Sequence, residues 1–176
     1  TGDFKLSESN FPWMNTDVDK FVDFGQKGVL ALMSDSTNVE KEGRTFSDKK
    51  VGDTLEKLIS RSPGRAIIAL FASNIVRIQQ IVDIAARHNR KIAFDGRSIE
   101  VSVQTSRDLG YLRIPEHLEI DIRDMDYFPD REVIVITTGS QGEPMSSLAR
   151  MAIGSNKMIR TKPDDTIILS SKFIPG

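Results

Sequence analysis

The sequence predicts an α/β fold in which a mostly parallel sheet is covered by helices on both faces. Short apolar runs alternate with stretches whose apolar residues recur at helical spacing, and this alternation is typical of right-handed βαβ crossovers. The strand-like runs end in Ser, Thr, Asn or Gly. Such residues offer hydroxyls and approachable amides at the carboxyl edge of a parallel sheet, where ligands bind. We therefore expect a ligand that carries a phosphate.

The first part of the chain predicts two helices and one strand. Residues 17–24 have the pattern of a short amphipathic helix that Gly25 ends. Residues 28–33 are apolar throughout, as in a strand covered on both faces. Residues 47–60 predict an amphipathic helix with Ser47 as its N-cap.

The middle of the chain repeats a strand–helix unit twice. We expect a strand at residues 65–71, followed by a helix at 74–88 that Ser73 or Asn74 caps. We then expect a strand at 91–94 and a helix over about 98–109, which ends at Gly110.

The last part predicts a third unit in the same order. Residues 118–120 suggest a short edge strand, and residues 122–128 suggest a helical turn that Pro129 stops. The β-branched run 133–136 predicts a strand, and Pro144 occupies the first position of a predicted helix that continues over 145–153. A strand at 166–169 completes the pattern.

Composition limits the classes of function. The 176 residues suit one domain with appended segments, and 24 Lys and Arg against 25 Asp and Glu exclude a uniformly basic nucleic-acid binder, though not a local basic patch. The absence of cysteine excludes disulfides and thiolate metal sites and agrees with a reducing cytoplasm. No apolar run reaches the roughly 18 residues that span a bilayer. We expect a cytoplasmic protein that does not enter a membrane.

Three places could carry chemistry, and each has a plainer alternative. Asp35 could bind a metal or orient a histidine, but acids after strands often only cap a turn. Ser73 could help hold a phosphate at the start of a helix, although the local sequence favours simple capping. The glycine-rich loop 139–144 lacks the lysine of a P-loop, so its glycines indicate a sharp bend or a close approach. Arg97 could contact a phosphate or form a surface ion pair.

Several strings, in order along the whole chain, resemble ribonuclease J. They are Thr-Gly-Asp-Phe-Lys at 1–5, Ser-Asp-Ser-Thr-Asn at 34–38, Phe-Ala-Ser-Asn-Ile at 71–75, Gly-Arg-Ser at 96–98, Thr-Gly-Ser-Gln-Gly-Glu-Pro-Met at 138–145 and Ile-Pro-Gly at 174–176. The resemblance implies a two-metal hydrolase of the metallo-β-lactamase class, which cuts RNA internally and degrades it from the 5′ end. A Rossmann-like β-CASP domain is inserted into the metal-binding domain of such enzymes.

The resemblance also assigns roles to individual residues. Asp3 aligns with the metal-bridging aspartate of the family, and Asp35 aligns with the acidic motif that opens the β-CASP region and is the catalytic candidate. Ser73, with the N–H groups of Asn74 and Ile75, aligns with the pocket for the RNA 5′-monophosphate. This implication reverses the preference for simple capping.

Further residues are expected along the cleft that faces the metals. These are Gly139, Ser140, Gln141, Gly142 and Arg97. The resemblance places a stub of the metallo-β-lactamase domain at residues 1–26 and the β-CASP domain at 27–176, as part of a larger chain. The expected partners are 5′-monophosphorylated RNA, the metallo-β-lactamase domain and further subunits in a homo- or hetero-oligomer.

The intact enzyme is expected to use two divalent ions, zinc or manganese, in mRNA decay and rRNA processing. The His-x-His-x-Asp-His metal motif of the family does not occur among these 176 residues, so we expect this chain alone to be inactive. Val76 stands where family members often carry histidine, which suits a paralogue with weakened activity. Two alternatives remain: a stand-alone domain that binds nucleotides or sugar phosphates, and an assembly module of an RNA degradation complex.

Overall fold

The structure is a computed structural model that describes residues 15–36, 39–40, 42–43 and 47–171. The chain divides into two compact units, Thr1–Asp53 and Thr54–Gly176. In the described ranges, no helix has both the length and the apolar character needed to cross a bilayer.

The first unit contains helix α1 (Val18–Lys27), which starts one residue later than predicted and continues further. Asp17 is the N-cap, and its carboxylate accepts a hydrogen bond from the Lys20 amide at 3.2 Å. The predicted end at Gly25 is wrong, because the left-handed residue that ends the helix is Gly28, with φ of 88°. Two nearby glycines give the same sequence signal, and only backbone conformation separates them.

The strand predicted at residues 28–33 is wrong as well. These residues form no ladder with any described strand, and Leu30 and Leu32 are largely exposed. Apolar continuity indicates a preference for burial, but it does not supply the neighbouring backbone that a strand must pair with.

Helix α2 (Asp48–Arg61) begins at the predicted cap. Ser47 Oγ accepts a hydrogen bond from the Lys50 amide at 3.3 Å, which satisfies one of the free donors of the first turn. Leu55 and Ile59 form its buried stripe, whereas Leu58, which belongs to the same predicted stripe, is exposed.

The second unit contains a four-stranded parallel sheet, which confirms the α/β fold class. Its strands are β1 (Ala66–Ala69), β2 (Lys91–Asp95), β3 (Val133–Thr137) and β4 (Thr166–Leu169), and their order is β2-β3-β1-β4. In this register Ile67 lies beside Val135 on one side and Ile167 on the other. Every residue of β1 and β3 is buried, as expected of central strands covered on both faces.

Helices follow three of the strands. They are α3 (Ile75–Arg87), α4 (Arg97–Asp108) and α5 (Ser147–Ala152). The start predicted for α5 at Pro144 is wrong, because Met145 has φ of 66° and the helix begins only after the Ser146 N-cap. A left-handed residue cannot continue a right-handed helix.

The remaining local predictions are confirmed in part. Two short 3-10 helices, Ile122–Tyr127 and Asp130–Glu132, precede β3, and the first is the helical turn predicted before Pro129. The edge strand predicted at 118–120 is reduced to a single parallel bridge between Ile92 and Glu119.

A compact apolar core covers one face of the sheet. Its buried members are Ile67, Met125, Val133, Val135, Met151 and Ile159. Residues Ile68, Ile134 and Ile136 alternate with these along the strands and are also fully buried, so the opposite face is covered too.

Candidate functional site

The carboxyl ends of the strands bring the predicted site residues of the second unit to one edge of the sheet. All neighbouring strands are parallel, so the segments that follow β1, β2 and β3 begin at the same edge. These segments carry Ser73, Arg97 and the glycine-rich loop, respectively. The loop after β3 also reaches the end of β4. Gln141 Nε2 donates to Ser171 Oγ at 2.9 Å, and Ser171 Oγ donates to the Ser140 carbonyl at 3.2 Å.

The turn between β1 and α3 has an exposed serine hydroxyl that does not cap the helix. The cap is Asn74, whose Oδ1 accepts a hydrogen bond from the Arg77 amide at 3.1 Å. The simple capping role for Ser73 is therefore wrong. The amides that the resemblance assigns to the phosphate donate within the turn: Asn74 N–H to the Phe71 carbonyl at 2.9 Å and Ile75 N–H to the Ser73 carbonyl at 3.0 Å.

The loop after β3 depends on Gly139. Its φ is 109°, and a Cβ placed there would lie 2.4 Å from Ser146 Oγ and 3.0 Å from Leu148 Cβ. Ser146 cannot easily yield, since its hydroxyl accepts a hydrogen bond from the Ala149 amide at 3.3 Å and caps α5. The backbone at Gly139 therefore approaches the start of α5 in the same chain closely, and the approach to the catalytic cleft stays a prediction.

A buried polar cluster joins the ends of β2 and α5. Asp95 Oδ2 accepts hydrogen bonds from Ser147 Oγ and, at 2.8 Å, from Asn156 Nδ2. Asn156 Nδ2 also lies 3.1 Å from Ser147 Oγ, and Thr137 Oγ1 donates to the Asp95 carbonyl at 3.0 Å. All four residues are buried. Hydrogen bonding satisfies this buried carboxylate inside the protein.

Sequence reasoning missed this cluster. Its partners lie 52 and 61 residues from Asp95, and Asn156 stands in a stretch without periodicity. One signal was present, because Asp95 closes an apolar run directly before Gly96. An acid that is buried with its strand needs polar partners, so the sequence could have predicted their existence but not their identity.

Above the cluster lies a cleft of about 800 Å³, which we call the α4–α5 cleft. Its walls are the start of α4 and the loop leading into α5, and its lining residues include Arg97, Val101, Gly139, Glu143, Met145 and Arg150. Arg97 is exposed, and the structure records no hydrogen bond or ion pair of its side chain with any described residue. The alternative surface ion pair for Arg97 is therefore absent from the described residues.

The structure brings some of the predicted cleft residues together and separates others. Arg97 and Gly139 line the same cleft, whereas Ser140, Gln141 and Gly142 do not. Ser140 is buried, and Gln141 turns toward the end of β4.

The acidic candidates lie in the first unit, and they form no metal site among the described residues. Asp35 is partly exposed and follows no strand, and its carbonyl accepts a hydrogen bond from Ser34 Oγ at 3.1 Å. Asp3 falls outside the described residues. Within the described ranges no group of three or more His, Cys, Asp or Glu could hold a metal ion. The described residues therefore do not fit the metal centre that the resemblance implies.

Comparison with known proteins gives matches over the whole chain. The family model for the beta-CASP domain of ribonuclease J matches residues 63–176. The chain is 42% identical over 176 residues to ribonuclease J of Helicobacter pylori, covering 25% of that protein. It is 42% identical to ribonuclease J2 of Bacillus subtilis and 39% identical to ribonuclease J of Thermus thermophilus, covering 32% and 30% of them. The chain thus spans about a quarter to a third of the length of these curated relatives.

Proposed function

Because the chain belongs to the ribonuclease J family, with residues 63–176 matching its β-CASP domain, we propose that it is the RNA-binding part of a ribonuclease. It positions single-stranded RNA by holding the 5′-monophosphate at the start of α3. The observation that carries this proposal is the exposed Ser73 hydroxyl, which Asn74 leaves free of any capping role.

The chemistry of this turn suits a terminal phosphate. The 13 residues of α3 present the positive end of a helix dipole beside Ser73, and a hydroxyl adds a neutral donor. In the bound state the phosphate replaces the Phe71 and Ser73 carbonyls as the acceptor for the Asn74 and Ile75 amides. That exchange is favourable, since a hydrogen bond to an anion is roughly twice as strong as one between neutral groups.

The catalytic half of the enzyme lies outside the described residues in this proposal. Asp3 would be one ligand of two divalent ions, zinc or manganese, held mainly by the metallo-β-lactamase domain, and these ions would supply the hydrolytic chemistry. Asp35 is the acidic residue that opens a β-CASP domain beginning near residue 27. The intact protein forms homo- or hetero-oligomers and acts as an endonuclease and a 5′-to-3′ exonuclease. Its setting is mRNA decay and rRNA processing in the cytoplasm, with which the lack of cysteine agrees.

Three ligands test the proposal against its alternatives. The affinity of the full 176-residue chain is measured for a 5′-monophosphorylated oligoribonucleotide, the same oligonucleotide with a 5′-hydroxyl, and a free mononucleotide. End recognition predicts the tightest binding for the first. Equal affinity for the two oligonucleotides contradicts it, and a mononucleotide that binds as tightly as the phosphorylated oligonucleotide favours a nucleotide-binding domain instead. Self-association without RNA binding favours the assembly module.

A further inference from the structure

The α4–α5 cleft is a second candidate site on the carboxyl edge of the sheet. We propose that it binds an internal stretch of the single-stranded RNA backbone, through Arg97 and Arg150, a few nucleotides downstream of the 5′ end. This inference rests on the proposed function, because it needs RNA as the ligand. It adds a second binding site, whose ligands are the phosphodiester groups within the RNA strand instead of its terminal phosphate.

The charges of the cleft favour a polyanion. The described lining includes two guanidinium groups, of Arg97 and Arg150, and one carboxylate, of Glu143. That carboxylate is already engaged, since Glu143 Oε2 accepts a hydrogen bond from the Gln141 amide at 3.0 Å. Arg97 has no recorded partner in the described part of the chain. A phosphodiester can therefore pair with both cations without displacing an ion pair between side chains.

Arg150 is held in place before any ligand arrives. Its guanidinium donates to the Met145 carbonyl at 2.7 Å and to Ser147 Oγ at 3.4 Å. Ser147 Oγ belongs to the buried cluster with Asp95 and Asn156, so α5 and Arg150 are tied to the end of β2. A guanidinium has five N–H donors, and the remaining ones are available. Binding therefore costs less side-chain entropy than it would with a freely moving arginine.

The apolar part of the lining indicates backbone recognition instead of base reading. Val101, Pro144 and Met145 contribute aliphatic surface, and the described residues that line the cleft include no aromatic side chain. Met145 is 75% exposed and has φ of 66°, an unusual conformation for a residue with a side chain. Such strain concentrates at ligand sites. A lining of aliphatic and cationic side chains suits contacts with sugars and phosphates, so the cleft recognises the RNA backbone and tolerates any base sequence.

The order of the strands sets the spacing of the two sites. Ser73 follows β1 and Arg97 follows β2, and β3 lies between these strands. Neighbouring strands are about 4.8 Å apart, so the two strand ends are separated by about 10 Å along the same edge. An RNA strand whose 5′-phosphate is held at Ser73 can therefore reach the cleft with its following nucleotides, whereas a mononucleotide cannot occupy both sites.

The test compares Arg97→Gln and Arg150→Gln with a matched arginine on the opposite edge. Arg131 is exposed and precedes β3, at its amino end, so Arg131→Gln is the control. Binding of the full chain is measured over a range of salt concentrations. The ligands are the 5′-phosphorylated oligonucleotide, its 5′-hydroxyl form and a 5′-mononucleotide. Melting temperatures and the Arg97→Lys and Arg150→Lys variants, which keep the charge, check that any loss is not due to unfolding.

We expect each glutamine substitution to lower the affinity for both oligonucleotides equally, by about tenfold. The slope of log affinity against log salt should fall in magnitude by about 0.7 for each lost contact. Mononucleotide binding and the preference for a 5′-phosphate should stay unchanged. The inference is wrong if both glutamine variants keep the wild-type affinity for the oligonucleotides and the wild-type salt slope. It is also wrong if they lose mononucleotide binding to the same extent as oligonucleotide binding. If instead the proposed function is wrong, the wild-type chain itself shows no preference for the 5′-phosphorylated oligonucleotide.

Discussion

Asp95 and Asn156 lie 61 residues apart in the sequence, and the Asn156 amide donates to the Asp95 carboxylate at 2.8 Å inside the protein. The same asparagine accepts hydrogen bonds through Oδ1 from the amides of Met158 and Ile159, at 2.9 Å and 3.2 Å. One side chain thus ties the segment after α5 to the end of β2. The walls of the α4–α5 cleft depend on this connection.

Replacing Asp95 with alanine should destabilise the protein by about 3 kcal/mol, because the Ser147 hydroxyl and the Asn156 amide lose a charged acceptor in a buried place. Urea unfolding measures the loss. Asp124→Ala removes an exposed carboxylate and should stay within about 0.5 kcal/mol of wild type. Similar losses in the two variants would show that the buried cluster adds no stability.

Gly139→Ala should cost about 3 kcal/mol, since the new Cβ would meet Ser146 and the backbone would remain in a conformation that glycine favours. Gly142 is the matched control. Its φ is also positive, at 74°, but a Cβ there meets nothing within 4 Å, so Gly142→Ala should cost only about 1 kcal/mol. The two unfolding free energies are compared directly, and equal costs would contradict the steric account of the loop.

Arg65→Met should destabilise the protein by about 3–5 kcal/mol, because it leaves Asp165 buried without its cation. Arg65 donates to Asp165 through Nε at 2.8 Å and through its second terminal nitrogen at 2.6 Å, and both side chains are at least 98% buried. The double variant Arg65→Met, Asp165→Leu should lose less than Arg65→Met alone. A double-mutant cycle in urea measures the coupling, and an additive result would contradict it.

The purified 176-residue chain should not hydrolyse RNA when zinc or manganese is added. In the proposed function the two metal ions belong to the metallo-β-lactamase domain, and this chain contributes only Asp3 to them, which alone cannot form a two-metal centre. Labelled RNA is incubated with the chain and each metal and then analysed by gel electrophoresis. Cleavage that copurifies with the chain and disappears with a chelator would contradict this expectation.

The sequence was sufficient to predict the elements whose signal is local. The β-branched run of β3 and the Ser47 cap of α2 were both found where expected. Elements that need a distant partner were less predictable. Residues 28–33 have the composition of a strand but no described neighbour to pair with, and the Asp95 cluster joins residues whose spacing follows no pattern.

The site residues also divide into those with a local sequence signal and those that depend on distant partners. The serine at the start of α3 could be selected from sequence, but only the structure shows that Asn74 is the cap and that Ser73 is not. Arg150 could not be selected, because an arginine in a helix is ordinarily a solvated side chain. Its position in the same cleft as Arg97 follows from the order of the strands and from the loop that Gly139 permits.

In the proposed function Ser73 helps to hold the RNA 5′-monophosphate, and the ratio of affinities for 5′-phosphorylated and 5′-hydroxyl RNA measures this role. Ser60→Ala is the matched control, an exposed serine on α2 whose hydroxyl donates to the Lys57 carbonyl. We expect Ser73→Ala to lower the ratio by about tenfold, the effect of one hydrogen bond to a charged group, and Ser60→Ala to leave it unchanged. A Ser73→Ala chain that keeps the wild-type ratio would contradict the claim.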